Sequence, residues 1–485
     1  MCFSSQVLYD SQMGKLTIIF VTAILALTGC SNSTAPDLAS SSTQFREGDS
    51  CDKLAAEVMG EQGPLLCAYN IGQGWTYIST DDSGDFAGQN DLSQLPIVEC
   101  KIEDNRDPVV RYFGATGFPA PESRMPNKGE VSIAIVPIDF PDALGSGNPM
   151  SLIQKELDAI DAWTEHFTNG SLKYKWIFSD EWLTMPKESQ YYVWDKSYIS
   201  DGQSFQMTDK QLQSNQEQAT QVFSEAEKVM DLNTVEYAWI FSNPEAKLVD
   251  WGPGPTNSAT QTIKTATSTY ELDYFPIGTY LFGNVPEYSH QRPLWTSMLH
   301  EMGHAHGIAG HAPGNEWTFD HMTAGGTLNS WNGWVMGWIP DDDFVCLDGS
   351  LAASHTVVLD SVDLNRGGTI AAVIRLSDHE VLVVESRKKG PFSIDFQPDY
   401  SAVMAYYVDT QREANRYDGN LAREMDYFSY FVRIANPDRP FDPNSYQVDP
   451  NILAQLGDTL VFENIRVKFS ESEGFDTVEI EVLAK

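Results

Sequence analysis

The chain reads as an α+β protein, and three observations lead there. A continuous apolar, β-branched run at Val131–Asp142 precedes two helix-period segments and a second buried strand. A histidine-rich, helix-compatible segment ends in glycine, and from His355 onward the pattern turns to short alternating strands. With 485 residues, 42% of them hydrophobic, the chain can build about two or three domains of ordinary size.

Taken in order, Lys15 and the apolar run Leu16–Leu27 have the charge and length of a signal peptide, and the run is too short to span a bilayer comfortably. The run ends in Leu27-Thr28-Gly29-Cys30, which resembles the lipobox of bacterial lipoproteins. That resemblance implies acylation of Cys30 and export. The chain would be lipid-anchored to the cell envelope, with Ser31 favouring an outer membrane, or extracellular. Residues 1–30 are therefore expected to be a leader, with Met13 a candidate start, and the Ser/Thr-rich residues 31–44 a flexible tether.

Beyond the lipidation site stand Cys51, Cys67, Cys100 and Cys346, an even set in a compartment that permits disulfides. Four cysteines allow about three pairings; Cys51 with Cys67 and Cys100 with Cys346 is the favoured one. Without C-x-x-C spacing they do not read as a zinc site. Residues 45–128, turn-rich and holding three of these cysteines, read as an N-terminal module or pro-region.

Residues 129–350 form the next expected domain. It opens on the strand at Val131, followed by helices near Leu152–Phe167 and Thr208–Met230 and a strand at Tyr237–Phe241. The Thr/Ser-rich stretch Thr256–Thr269 reads as a surface loop before the histidine-rich helix. Pro293 suits that helix's first turn and Gly307 its end. Residues 351–485, with strands at 356–359, 370–376, 380–385, 402–408, 459–462 and 477–482, read as an all-β, sandwich-like module.

Six of the nine histidines fall between His290 and His321, and the run His300-Glu301-Met302-Gly303-His304 has the form H-E-x-x-H. One helical turn separates His300 from His304, so both imidazoles project from one face and can grip a single zinc ion. In this arrangement the glutamate, Glu301, is no ligand. It takes a proton from zinc-bound water and returns it to the leaving amine. A catalytic zinc needs a third protein ligand and an open position. His311 is the candidate, one residue later than the spacing H-E-x-x-H-x-x-G-x-x-H requires, with Gly307 matching its glycine. Asp320 and His321 are the alternatives. His306 lies on another face of the helix and reads as a supporting or surface residue.

The motif and its surroundings resemble the immune inhibitor A-like zinc metallopeptidases of bacteria. The strand Val136-Pro137-Ile138-Asp139-Phe140-Pro141-Asp142 is similar to that family's opening strand, and Phe167–Leu172 leading to Trp182–Pro186 to the segment after its first helix. Asp320-His321-Met322 resembles the methionine turn beneath the metal, with Met322 its methionine, and Leu328–Ile339 a helix ending in Gly-Trp. Val384–Arg387 and Tyr406–Asp409 are like the first strands of the C-terminal β-module. The likeness spans about residues 129–415. It implies a zincin-like metallopeptidase domain with a C-terminal β-module, bound zinc, and endopeptidase action on protein or peptide substrates. Where members commonly continue Leu-Gly-x-Pro-Asp, this chain has His306-Gly307-Ile308-Ala309-Gly310-His311, so the third ligand stays open between His311 and the pair Asp320 and His321.

A net charge of -37, from 68 acidic and 31 basic residues, argues against a nucleic-acid partner. The acidic surface is compatible with structural Ca2+, although no D-x-D-x-D-G loop is found. Neither a phosphate-binding glycine loop nor a G-x-S-x-G elbow is present. Trp331, Trp334 and Trp338 have the helical spacing of core residues, and Glu385, Arg387 and Asp409 read as a structural ion-pair set on strands. A non-catalytic adhesion lipoprotein with a vestigial metal site is the competing expectation; an amidase acting on glycan-linked peptides is a third.

Overall fold

The computed structural model describes residues 45–51, 57–61, 63–70, 74–79, 94–106, 114–120, 125–192, 199–200, 205–206, 209–246, 261–277, 293–308, 320–322, 326–392, 401–411, 431–433 and 453–484. The leader, the tether, Cys30 and His311 lie outside the described residues. The chain is a mixed α/β protein built mostly from strands in open sheets, with few helices. Among the described residues no helix is long and apolar enough to cross a membrane.

In chain order the strands are β1 (Glu57–Met59), β2 (Pro64–Asn70), β3 (Gly74–Ser79), β4 (Gly129–Asp139), β5 (Leu172–Phe178), β6 (Leu183–Thr184), β7 (Ile199–Ser200) and β8 (Phe205–Gln206). They continue with β9 (Tyr237–Ser242), β10 (Gln261–Lys264), β11 (Thr269–Ile277), β12 (Phe344–Asp348), β13 (Ala353–Leu359), β14 (Ala371–Arg375) and β15 (Glu380–Lys388). The last are β16 (Ser401–Asp409), β17 (Phe431–Arg433), β18 (Leu453–Ala454), β19 (Thr459–Phe462), β20 (Ile465–Glu473) and β21 (Phe475–Val482). The helices are α1 (Met150–Thr168), α2 (Asp209–Ala226), α3 (Leu294–Ala305) and α4 (Ser330–Val335).

The first sheet runs β10-β11-β9-β4-β5, with β6 beside β4; β4 is parallel to β5, β6 and β9, and only β10 pairs antiparallel. Strand β4 is central and covered on both faces, which is why its sequence is continuously apolar. Val131, Ile133 and Ile135 face one core with α1 and α3, while Ala134, Val136 and Ile138 face the core that includes the buried side of α2. The apolar row Ile153, Leu157, Ile160, Trp163 and Phe167 follows the helical period of α1. Asn169, at φ 49°, ends that helix in the left-handed conformation. Residues 261–264, expected within a loop, instead form strand β10. Threonine is β-branched and suits a strand as well as a loop, and Thr262 is followed by Ile263, which is buried.

A second sheet runs β12-β14-β15-β16-β17, with β18 on β16. Val381 and Val383 of β15 join the core of α1 and α3, while Leu382 and Val384 pack against the third sheet. That third sheet runs β1-β2-β19-β20-β21-β13, with β3 on β2. Buried and exposed residues alternate strictly along β13, as expected of a sheet with one solvated face.

This arrangement cuts across the partition drawn from sequence. Strands β1–β3, taken from the segment set apart as an N-terminal module, share one sheet with β13 and β19–β21. The join is made by β2, which pairs in parallel with β19, Tyr69 opposite Phe462. Strand β12 lies before the boundary at 350 yet pairs with β14 beyond it. A disulfide joins Cys100 to Cys346 of β12. Cys51 is also disulfide-bonded, but the side chain of Cys67 lies outside the described residues. Residues Gln44–Lys485 form one compact unit.

Candidate metal centre

Helix α3 carries the H-E-x-x-H run and is fixed at both ends. At its start, Pro293 occupies the cap position, and the Glu156 carboxylate of α1 accepts the Trp295 N–H at 2.9 Å. A carboxylate there satisfies an otherwise orphaned donor and complements the helix dipole. At its end, Gly307 takes φ 97°, its N–H reaches the His304 carbonyl at 3.0 Å, and the Ile308 N–H reaches the Gly303 carbonyl at 3.0 Å. Those two bonds are a Schellman closure. Outside chain tightens it, for Ala115 donates to the Gly307 carbonyl and Met125 to that of Ala305.

His300 and His304 lie side by side, with ring centroids 4.9 Å apart and planes nearly perpendicular. His304 is buried and His300 and Glu301 are half-buried. The Nδ1 of His300 meets the carbonyl of His321 at 3.1 Å, and the Nδ1 of His304 meets that of Ile308 at 3.3 Å. A carbonyl only accepts, so in both rings Nδ1 carries the proton and the lone pair sits on Nε2. Metal-binding histidines are set up in just this way, by a backbone or carboxylate partner on the far nitrogen. The pair therefore fits a zinc ion in tautomer, spacing and face.

Below the pair lies the turn that contains Met322. A Cβ built on Gly303 would come within 2.5 Å of the Met322 sulfur and 2.9 Å of His321 Nε2. A side chain at 303 would force Met322 or His321 to shift. Asp320 shapes the turn: one oxygen accepts the Met322 N–H at 2.7 Å, and the other accepts Asn329 N–H at 2.7 Å and Asn329 Nδ2 at 2.6 Å. Burial pushes its pKa up to about 7. The His321 ring packs against Trp163 and Trp338, with its pKa pushed down to about 3 by burial. Both residues, named as alternative third ligands, are thus built into the floor. Among the described residues, none completes a three-donor group with His300 and His304.

His306 is buried on the other face of the helix end. Its Nδ1 contacts Asn127 Oδ1 at 3.2 Å and its Nε2 contacts the Tyr174 hydroxyl at 2.8 Å, while burial drives its pKa down to about 3. It is a neutral, satisfied core histidine. Trp331, Trp334 and Trp338 are core residues too, with Phe118 edge-on to the first two.

The ion-pair set read from the strands divides. Arg387 pairs with Glu385 at 2.8 Å and with Asp363 at 2.9 Å, all fully buried; the second contact is an ion pair without hydrogen-bond geometry. Asp409 instead meets His379 Nδ1 at 3.2 Å. Together with Glu380 these two form the one group of three clustered metal-type donors among the described residues.

The sequence reading did not single out Glu156, Asp363 or Gly303. For Gly303 a signal existed, since mid-helix glycine costs about 1 kcal/mol relative to alanine and so implies a close neighbour. For the other two, only the tertiary structure shows what they meet. No family model and no curated protein matches this sequence.

Proposed function

We propose that this chain is an exported zinc metalloendopeptidase of zincin type, similar to the immune inhibitor A-like enzymes. His300 and His304 are two zinc ligands, His311 is the third and Glu301 is the general base. The observation that carries the reading is the pair of Nδ1-to-carbonyl contacts, at 3.1 and 3.3 Å, on two histidines one helical turn apart. When bound, zinc supplies a Lewis acid that polarises a peptide carbonyl and acidifies water. The protein's own groups do the rest. The His321 and Ile308 carbonyls hold the two imidazoles in the ligating tautomer. Glu301, beside His300 on the half-buried part of the helix, accepts a proton from the attacking water and delivers it to the leaving amine.

The Met322 turn under Gly303 supports the zincin reading, and the two facing sheets of the C-terminal half support a sandwich-like β-module. The Cys100–Cys346 disulfide supports an oxidising compartment, in keeping with export and a lipid on Cys30. The test is zinc content and casein cleavage by the purified protein, with and without a chelator, for wild type and Glu301→Gln. Wild type should carry zinc and cleave casein, and Glu301→Gln should keep the zinc and lose the cleavage. Full activity in a zinc-loaded Glu301→Gln protein would overturn the mechanism. Zinc without hydrolysis of any protein substrate would favour a binding lipoprotein.

A further inference from the structure

The turn beneath the histidine pair does not stand on its own bonds. Residues 326–330 are gripped from the second sheet by a guanidinium with no exposure to solvent, that of Arg387. Its Nη1 donates to the Leu328 carbonyl at 3.0 Å and its Nη2 to Thr327 Oγ1 at 2.7 Å. On its strand side it pairs with Glu385 and Asp363. The second Glu385 oxygen accepts the Ser330 N–H at 2.9 Å, the Ser330 hydroxyl and the Tyr406 hydroxyl at 2.9 Å. From the gripped loop a short chain of bonds reaches the motif. The Thr327 carbonyl accepts the His321 N–H at 2.7 Å, and the His321 carbonyl faces His300 Nδ1 at 3.1 Å.

Burying three charges is expensive, and well-packed apolar side chains often serve stability as well or better. What apolar residues lack is direction. The planar, five-donor fork of arginine fixes several acceptors at once, which neither a point charge nor a methyl group can do. We propose that Arg387, oriented by Asp363 and Glu385, is a positioning residue for the metal centre: it fixes Thr327 and Leu328, and through them the His321 carbonyl that orients His300. The proposal rests on the zinc reading above, and it makes the second sheet part of the site.

The test is zinc affinity of the full chain by competition with a chromogenic chelator, for Arg387→Met, Arg387→Lys and Thr327→Val, with Ile480→Ala in the third sheet's core as a control. Losing a partner that orients a ligand costs about 10- to 100-fold in metal affinity. Arg387 acts through Thr327 and His321, so Arg387→Met should fall at the lower end of that range, about 10-fold, Arg387→Lys should recover part of it, and Thr327→Val should show a smaller loss. Ile480→Ala should lower Tm and leave the affinity unchanged, because unfolding does not alter the affinity of molecules that remain folded. If Arg387→Met fails to fold, the other two variants decide the matter. Zinc binding as tight as wild type in both Arg387→Lys and Thr327→Val would overturn the proposal while leaving the zinc reading intact. A wild-type protein that binds no zinc would remove both.

Discussion

Among the described residues two places gather metal-type donors, and they differ in what holds those donors. On helix α3 there are two imidazoles whose far nitrogens face backbone carbonyls, above a floor packed closely against Gly303. In the second sheet, where β15 begins and β16 ends, His379, Glu380 and Asp409 bring three donors together, and cross-strand register sets the two carboxylates directly opposite each other. There the donors serve local structure. His379 Nδ1 faces Asp409, while Ser377 and Tyr407 donate to Glu380. In the helix, backbone carbonyls engage the nitrogens a metal does not need. In the sheet, side chains engage the ligand atoms themselves. Donor count therefore ranks the two groups in the opposite order from preorganisation, and preorganisation is the better guide.

The sharpest way to break this comparison is to remove a ligand. His300→Ala and His304→Ala should each lower zinc affinity by more than about 100-fold, beyond the range expected for loss of a merely supporting partner. Chelator competition measures this directly. Retention of wild-type affinity in either variant would take the metal off helix α3. Next in size is Glu301→Gln, with zinc retained and kcat/KM on casein reduced by about 10²- to 10⁴-fold, the usual share of a positioned general base.

How much of this was legible beforehand depends on the range over which each feature is encoded. His300 and His304 stand four apart, so their common face follows from helical geometry alone. Strand β4 and helix α1 announce themselves through the continuous apolar run and the period of Ile153, Leu157 and Ile160. Asp320 and His321 have the right chemistry for ligands, but sequence does not say which way a loop side chain faces, and both face inward here. Arg387 and Glu385 were legible as a strand ion pair. Their hold on Thr327, Leu328 and Ser330 spans more than fifty positions of chain and belongs to tertiary structure. The segment 45–128 misled because its turns and cysteines suggest independence, while the pairing of β2 with β19 is a tertiary contact that no local pattern encodes.

A third, smaller effect probes the floor rather than the ligands. Alanine at 303 would place a methyl group at 2.5 Å from the Met322 sulfur and 2.9 Å from the His321 ring, both in fully packed surroundings. Helix propensity favours the substitution by up to about 1 kcal/mol. Overpacking of a core costs about 1–3 kcal/mol, so the net effect should be destabilising. Thermal unfolding of Gly303→Ala should show a lower Tm, and zinc affinity should fall with it as His321 shifts. A raised Tm would mean the floor is loose, and the contrast with the His379 cluster would lose its main support.

The smallest effect belongs to that cluster. In His379→Ala the zinc stoichiometry and the rate of casein cleavage should match wild type, because His379 and Asp409 engage each other while Ser377 and Tyr407 engage Glu380. Its stability should change by no more than about 1 kcal/mol, the usual net scale for one side-chain hydrogen bond. Removing His379 also leaves Glu380 opposite Asp409 without the imidazole beside them, and like charges directly across a strand pair repel. A drop of one equivalent in bound zinc would show that this cluster holds a cation and that donor count outranks preorganisation here.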